Sequence, residues 1–306
     1  MTMAHPLSVP ALPAALAAEQ FELTNAGACI NYYRSVPVKP SGWPPLLLVH
    51  SVNAAGSAAE VAPLFEHYRA TRAVYALDLP GFGLSSRAER AYSVRLMTDA
   101  VLAVIDKMRA DHNGVPVDVL GVSLAAEYVA RAQREAPSGI RRLVLVSPTG
   151  FSRAKRRYGP PGSNLGLPWL YRAFTWPVWS DSIYRTLTRP GVIRYFLQRT
   201  CGAKVIDESL WRYAVLTTQQ PGAKNAPFYF VSAYLFSKDI NAVYEAVDCP
   251  VWVSMATRGD FTDYQGRTTV LDKPNWQFHA VEGGALPYFE DVRYFTAALS
   301  PFLNTL

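Results

Sequence analysis

Gly121-Val122-Ser123-Leu124-Ala125 lies between an apolar run, Val115 to Leu120, and a stretch of helical character, Ala126 to Glu135. Small residues two before and two after a serine let a strand turn sharply into a helix. A strained turn of that kind lifts the hydroxyl clear of the sheet edge. The segment therefore predicts strand, tight turn and helix in succession. The same serine has a bland reading as a cap of the following helix.

Working outward, short β-rich runs alternate with helical periodicity, which predicts a mostly parallel sheet covered on both faces. Phe21 to Thr24 and Ala28 to Arg34, joined at Asn25-Ala26-Gly27, read as an opening hairpin. Strands are expected at Leu46 to His50, Ala73 to Asp78, Arg142 to Val146, Val251 to Met255 and Trp276 to Val281. Val61, Leu64, Phe65 and Tyr68 share one helical face, as do Met97, Val101, Val104, Ile105 and Met108. These are core positions. Tyr229 to Val247 and Leu286 to Leu303 read as single helices.

The alternation breaks after Ser147-Pro148-Thr149-Gly150. Residues 151–228 are rich in aromatics and punctuated by Pro160-Pro161-Gly162, Pro190-Gly191 and Pro221-Gly222, the signature of an inserted, mostly helical subdomain. They hold twelve Lys or Arg against three acids, a local +9 within a chain of net charge +6. The remainder is mildly acidic. A basic, aromatic segment on such a body suits an anionic group on a ligand or a peripheral contact with a membrane surface. The expected division is an arm over residues 1–20, loose from Met1 to Ala18, a core over 21–150 and 229–306, and a cap over 151–228.

Composition narrows the class. With 306 residues and half of them apolar, the chain can bury a large core. No apolar run approaches the roughly 18 to 20 residues needed to span a bilayer. The first eighteen residues lack Lys and Arg and carry Pro6, Pro10 and Pro13, unlike a secretory signal. Cys29, Cys201 and Cys249 are too few and too scattered for a disulfide framework or zinc site, so a reducing cytoplasm is expected, with no metal or other cofactor and no nucleic-acid partner.

Three motifs stand in order at the ends of expected strands: Leu47-Leu48-Val49-His50-Ser51-Val52-Asn53, Asp78-Leu79-Pro80-Gly81-Phe82-Gly83-Leu84-Ser85, and the Ser123 turn. Together, over Phe21 to Leu303, they resemble the α/β-hydrolase superfamily, especially its cap-bearing branch of meta-cleavage-product hydrolases, epoxide hydrolases and haloalkane dehalogenases. The resemblance implies a mostly parallel eight-stranded sheet flanked by helices, with a helical cap inserted. It implies Ser123 as nucleophile and the N–H groups of Val52 and Leu124 as oxyanion donors, with Ser51 where the family has glycine. His50, Ser51, Phe82 and the cap residues Trp169 and Trp176 would line the pocket.

It also implies an acid after the strand Val251 to Met255, with Asp260 first and Asp263 second. The base should follow the last strand. There Gly284-Ala285-Leu286-Pro287-Tyr288-Phe289-Glu290 aligns without a gap onto the family's Gly-His-x-Pro-x-x-Glu, so Ala285 holds the histidine position. His5, His67 and His112 lie away from that edge, and His50 or His279 would have to stand in. Two functions remain open. One is an impaired or atypical serine hydrolase of an ester, thioester or carbon–carbon bond in a bulky apolar or aromatic small molecule. The other is a non-catalytic ligand-binding or scaffolding protein.

Overall fold

The computed structural model describes residues 10–39, 42–153 and 156–305. The chain opens with a hairpin, β1 (Glu19–Asn25) and β2 (Ala28–Ser35), closed by Ala26 and Gly27 at positive φ. That turn matches the twist of the strands it joins. Strand β3 (Leu46–Val49), helix α1 (Ala62–Tyr68), strand β4 (Val74–Leu77), helix α2 (Val94–Asp111), strand β5 (Val117–Val122), helix α3 (Ala125–Glu135) and strand β6 (Ile140–Val146) follow. The cap contributes α4 (Pro168–Thr175), α5 (Ser180–Leu187), α6 (Pro190–Cys201), α7 (Glu208–Thr218) and α8 (Asn225–Val231). Helix α9 (Ile240–Ala246), strands β7 (Val251–Ala256) and β8 (Trp276–Val281), and helix α10 (Val292–Leu303) complete the chain.

The eight strands form one sheet in the order β1-β2-β4-β3-β5-β6-β7-β8, parallel from β4 onward. Parallel strands buried on both faces read as unbroken apolar runs, and Leu46–Val49 and Val74–Leu77 are buried throughout. Leu47, Val119 and Val253 point to the layer of α2, α3 and α9. Leu48, Leu120 and Trp252 point to that of α1 and α10. Among the described residues no helix is long and apolar enough to cross a membrane.

Three local expectations change. The stretch Tyr229 to Val247 is two helices, broken where Ala233 adopts φ 65°. The break lets Tyr229 and Tyr234 pack toward α4 while Phe230 stacks on Phe236. The closing helix begins at Val292 because the Asp291 side chain caps it at Tyr294 N, and Pro287–Phe289 forms a separate short turn. Residues 10–18 are held in place: Ala15 N–H donates to the Tyr33 hydroxyl, the carbonyls of Pro10 and Pro13 accept from Gln220 and Tyr213, and Leu16 is buried. Helix α8 straddles residue 228, the expected end of the cap.

Candidate active site

The turn after β5 holds Ser123 at φ 53°, a left-handed conformation that costs a non-glycine residue about 1–3 kcal/mol. It persists because the chain around it is over-determined. Ser123 N–H donates to Val146 O at 2.8 Å, and Thr149 N–H and Ala126 N–H donate to Ser123 O at 3.3 and 3.2 Å. Gly121 is required as well: a Cβ there would lie 2.8 Å from Val129 Cγ2 and 3.0 Å from Ala125 O. Ser123 is partly buried, and among the described residues its hydroxyl has no hydrogen-bond partner.

β3 and β5 are neighbours, with Val49 opposite Gly121. Val52 and Leu124 each lie three residues beyond that pair. Both are buried, and among the described residues neither N–H finds an acceptor. Buried N–H groups are nearly always paired, which sets these two apart from the rest of the sheet edge.

The turn carrying Val52 is shaped by a residue that no motif singled out. Glu60, 4% exposed, accepts from Ser51 N at 2.8 Å and from Asn53 Nδ2 at 2.7 Å. Ser57-Ala58-Ala59-Glu60 has the spacing of a capping box, yet Ser57 makes no cap bond and Glu60 reaches back to the turn instead. The Ser51 hydroxyl is occupied by Asn53. In the second motif, Asp78 accepts from Ala58 N, Leu84 N and Asn31 Nδ2, which makes the loop a buried scaffold. Phe82 lies edge-on to His50 at 5.8 Å.

Neither candidate stand-in base is free to act on Ser123. Leu79 N–H donates to His50 Nε2 at 3.0 Å, so the proton sits on Nδ1, which faces Ser51 O at 2.6 Å. Both ring nitrogens are spent on main chain. His279 pairs in register with Ser254, below the strand ends, and stacks on Trp252 at 5.0 Å. His67 lies in α1, His112 caps α2 beside Tyr75, and His5 lies outside the described residues. Burial holds the imidazoles of His67, His112 and His279 below the ordinary value of 6.5. As pH falls past 6.5 the unfolded chain then binds protons more readily than the folded one, so stability declines until pH is beneath the folded values. The urea midpoint is expected to be lower at about pH 5.5 than at about pH 7.5, and His279→Phe should narrow the gap. A midpoint independent of pH would contradict this.

The two loops that should supply acid and base are taken up by the cap. Asp260 is exposed and pairs with Arg199 of α6 at 2.9 Å. Asp263 accepts from the Ser152 hydroxyl at 2.7 Å and from Gln265 N, contacts that hold its carboxyl below the usual range. Ala285 is 2% exposed, and its N–H donates to Thr200 O at 3.0 Å. A Cβ on Gly284 would fall on the backbone of Cys201, and one on Gly259 would lie 2.7 Å from Arg199 O. The last turn of α6 is thus seated on both loops. Burial, with Glu290 and Glu60 nearby, pushes the Cys201 thiol up to about 11, so it is not a thiolate at neutral pH.

Trp169 and Trp176 are on the outside of the cap, 67% and 53% exposed, and do not line the Ser123 site. α4 bears aromatics on both faces, and Tyr171 and Phe174 take the inner one, against Tyr229 and Phe228. Among the described residues no three His, Cys, Asp or Glu side chains are arranged to hold a metal ion.

Comparison with known proteins agrees with this architecture. No curated protein matches the sequence. Among solved structures, an N-formylmaleamic acid deformylase of Pseudomonas putida S16 aligns at 21% identity and TM-score 0.62, over 92% of this chain and 100% of that one. A meta-cleavage product hydrolase of Pseudomonas fluorescens IP01 aligns at 16% and 0.68, over 93% and 97%. A carboxylesterase of Bacillus subtilis aligns at 18% and 0.68, over 94% and 92%. At these identities the likeness carries the fold. The profile of the family described as alpha/beta hydrolase fold matches residues 44–196, half of the chain. On that match, and with its eight-stranded sheet and inserted cap, the chain belongs to the α/β-hydrolase family.

Proposed function

We propose that the Ser123 site receives the carbonyl of an ester, thioester or carbon–carbon-bonded acyl group on a bulky apolar or aromatic small molecule, and hydrolyses it slowly without a cofactor. The observation that carries this reading is the strained Ser123, at φ 53°, beside the unspent N–H groups of Val52 and Leu124. A positioned hydroxyl and two donors are the parts that meet a carbonyl and stabilise its oxyanion, one donor being worth about 10² to 10³ in rate. The absent base sets the limit. Its loss typically lowers turnover by about 10⁴ to 10⁶ and leaves roughly 10³ to 10⁴ over water. Three free thiols fit a reducing, cytoplasmic setting.

A second reading, a non-catalytic ligand binder, is favoured by one observation: α6 sits on both the acid and the base loops. A fluorophosphonate probe and a panel of aromatic esters separate the two. The hydrolase reading expects slow labelling at Ser123 and measurable ester turnover, both abolished in Ser123→Ala. Absence of labelling and turnover in the parent, with a ligand still bound, would sink it and leave the binder.

A further inference from the structure

Among the described residues none covers the outer face of α4, where Trp169 and Trp176 are exposed. Trp169, Arg172, Ala173 and Trp176 follow the i, i+3, i+4, i+7 spacing of one helical face. Beyond Pro177 the chain folds back, since Trp179 Nε1 donates to Ala173 O at 2.7 Å and the ring lies 6.2 Å from Trp176. Trp179 is 45% exposed and Val178, at the tip, 78%. Three indoles and a valine thus form one ridge in solvent. Tryptophan is normally well buried, and a contiguous exposed apolar patch marks a contact surface.

The charges around the ridge identify its partner. Several cap cations are already neutralised: Arg194 by Glu208, Arg199 by Asp260, Lys224 by Asp181. Among the described residues the side chains of Arg172, Arg185 and Arg189 have no hydrogen-bond partner; Arg172 lies on the ridge, Arg185 in the last turn of α5 and Arg189 at the start of α6. Asp181, the one acid between Leu167 and Arg189, is the one held by Lys224. Indoles settle at the boundary of headgroups and acyl chains, and arginines extend to lipid phosphates. A second copy of the same face would bring these arginines against one another, at a cost.

We propose that the ridge from Leu167 to Trp179, with Arg172, Arg185 and Arg189, docks the protein peripherally on an anionic lipid bilayer. The docking is independent of the chemistry at Ser123. It is tested by sedimentation of the full chain with phosphatidylcholine vesicles containing about a third phosphatidylserine, and with phosphatidylcholine alone, while tryptophan emission is followed. Each arginine near the anionic surface is expected to favour binding by about fivefold. The parent should therefore prefer the anionic vesicles by more than about tenfold, shift its emission to the blue and release with salt.

Trp169→Ser with Trp176→Ser should lose binding at least about tenfold, while thermal unfolding stays at the parent value. Arg172→Gln, Arg185→Gln and Arg189→Gln together should remove the preference for anionic lipid. Ser123→Ala should bind as the parent does. The proposal is overturned if the parent fails to bind anionic vesicles or if the tryptophan pair is replaced without effect. It is equally overturned if light scattering shows a dimer that the tryptophan substitutions dissociate and no vesicle binding accompanies it.

Discussion

Gly284→Ala should unfasten the cap, lowering stability by about 2–3 kcal/mol and the melting temperature by roughly 4–8 °C. The reason is that the added methyl meets backbone. A Cβ at this position would lie 2.3 Å from the carbonyl oxygen and 2.4 Å from the Cα and carbonyl carbon of Cys201, which have no rotamer by which to yield. Either the last turn of α6 or the 283–285 loop must shift. Whichever moves, the Ala285 N–H···O Thr200 bond is stretched, and the Arg199–Asp260 pair and the close approach of Gly202 to Gly259 are disturbed with it. Calorimetry should record the loss, and limited proteolysis should cut faster within 151–228. Gly191→Ala is the control, because a Cβ there, in the first turn of the same helix, meets nothing within 4 Å. It should be neutral or slightly stabilising. A Gly284→Ala protein that melts within about 1 °C of the parent and resists protease equally would show that α6 is not latched there.

That latch also explains what could be read in advance and what could not. Strands such as Leu46–Val49 and Val74–Leu77 announce themselves as apolar runs, and the Ser123 turn shows in its small flanking residues, because both depend on neighbours in sequence. The cap is legible as a break in alternation and a concentration of charge. Contact between α6 and the loops at 257–260 and 283–285 leaves no such trace, since it rests on glycines whose need for space appears only when distant backbone arrives. Asp260 was legible as an acid at the end of a strand but not as the partner of Arg199. Trp169 and Trp176 were legible as cap aromatics but not as outward ones, because α4 has rings on every side and only packing against Tyr229 and Phe228 decides which face turns in. Glu60 was hidden behind a capping-box spacing it does not use.

Arg157→Met should cost about 3–5 kcal/mol, because it strands a carboxylate in the dry core. Glu127, one turn after Ser123 on α3, has no exposed side-chain surface, and Arg157, 9% exposed, approaches it at 2.5 Å. The remaining partners of Glu127, the Thr149 hydroxyl and Ser237 N–H, are neutral and cannot offset a buried charge. Arg157 also donates to Ser237 O and, through its own N–H, to Asn241 Oδ1, so it ties the first segment of the cap to the chain that leaves it. Thr149 in turn donates through N–H to Ser123 O at 3.3 Å, so the loss reaches the serine turn and any labelling at Ser123 should slow. Adding Glu127→Gln removes the stranded charge, and the double variant should recover part of what Arg157→Met alone loses. Arg194→Met is the comparison, since the Arg194–Glu208 pair lies in solvent and its loss should be much the smaller. Equal losses for the two arginines, or no recovery in the double variant, would show that the buried Arg157–Glu127 charge pair is not what holds this contact.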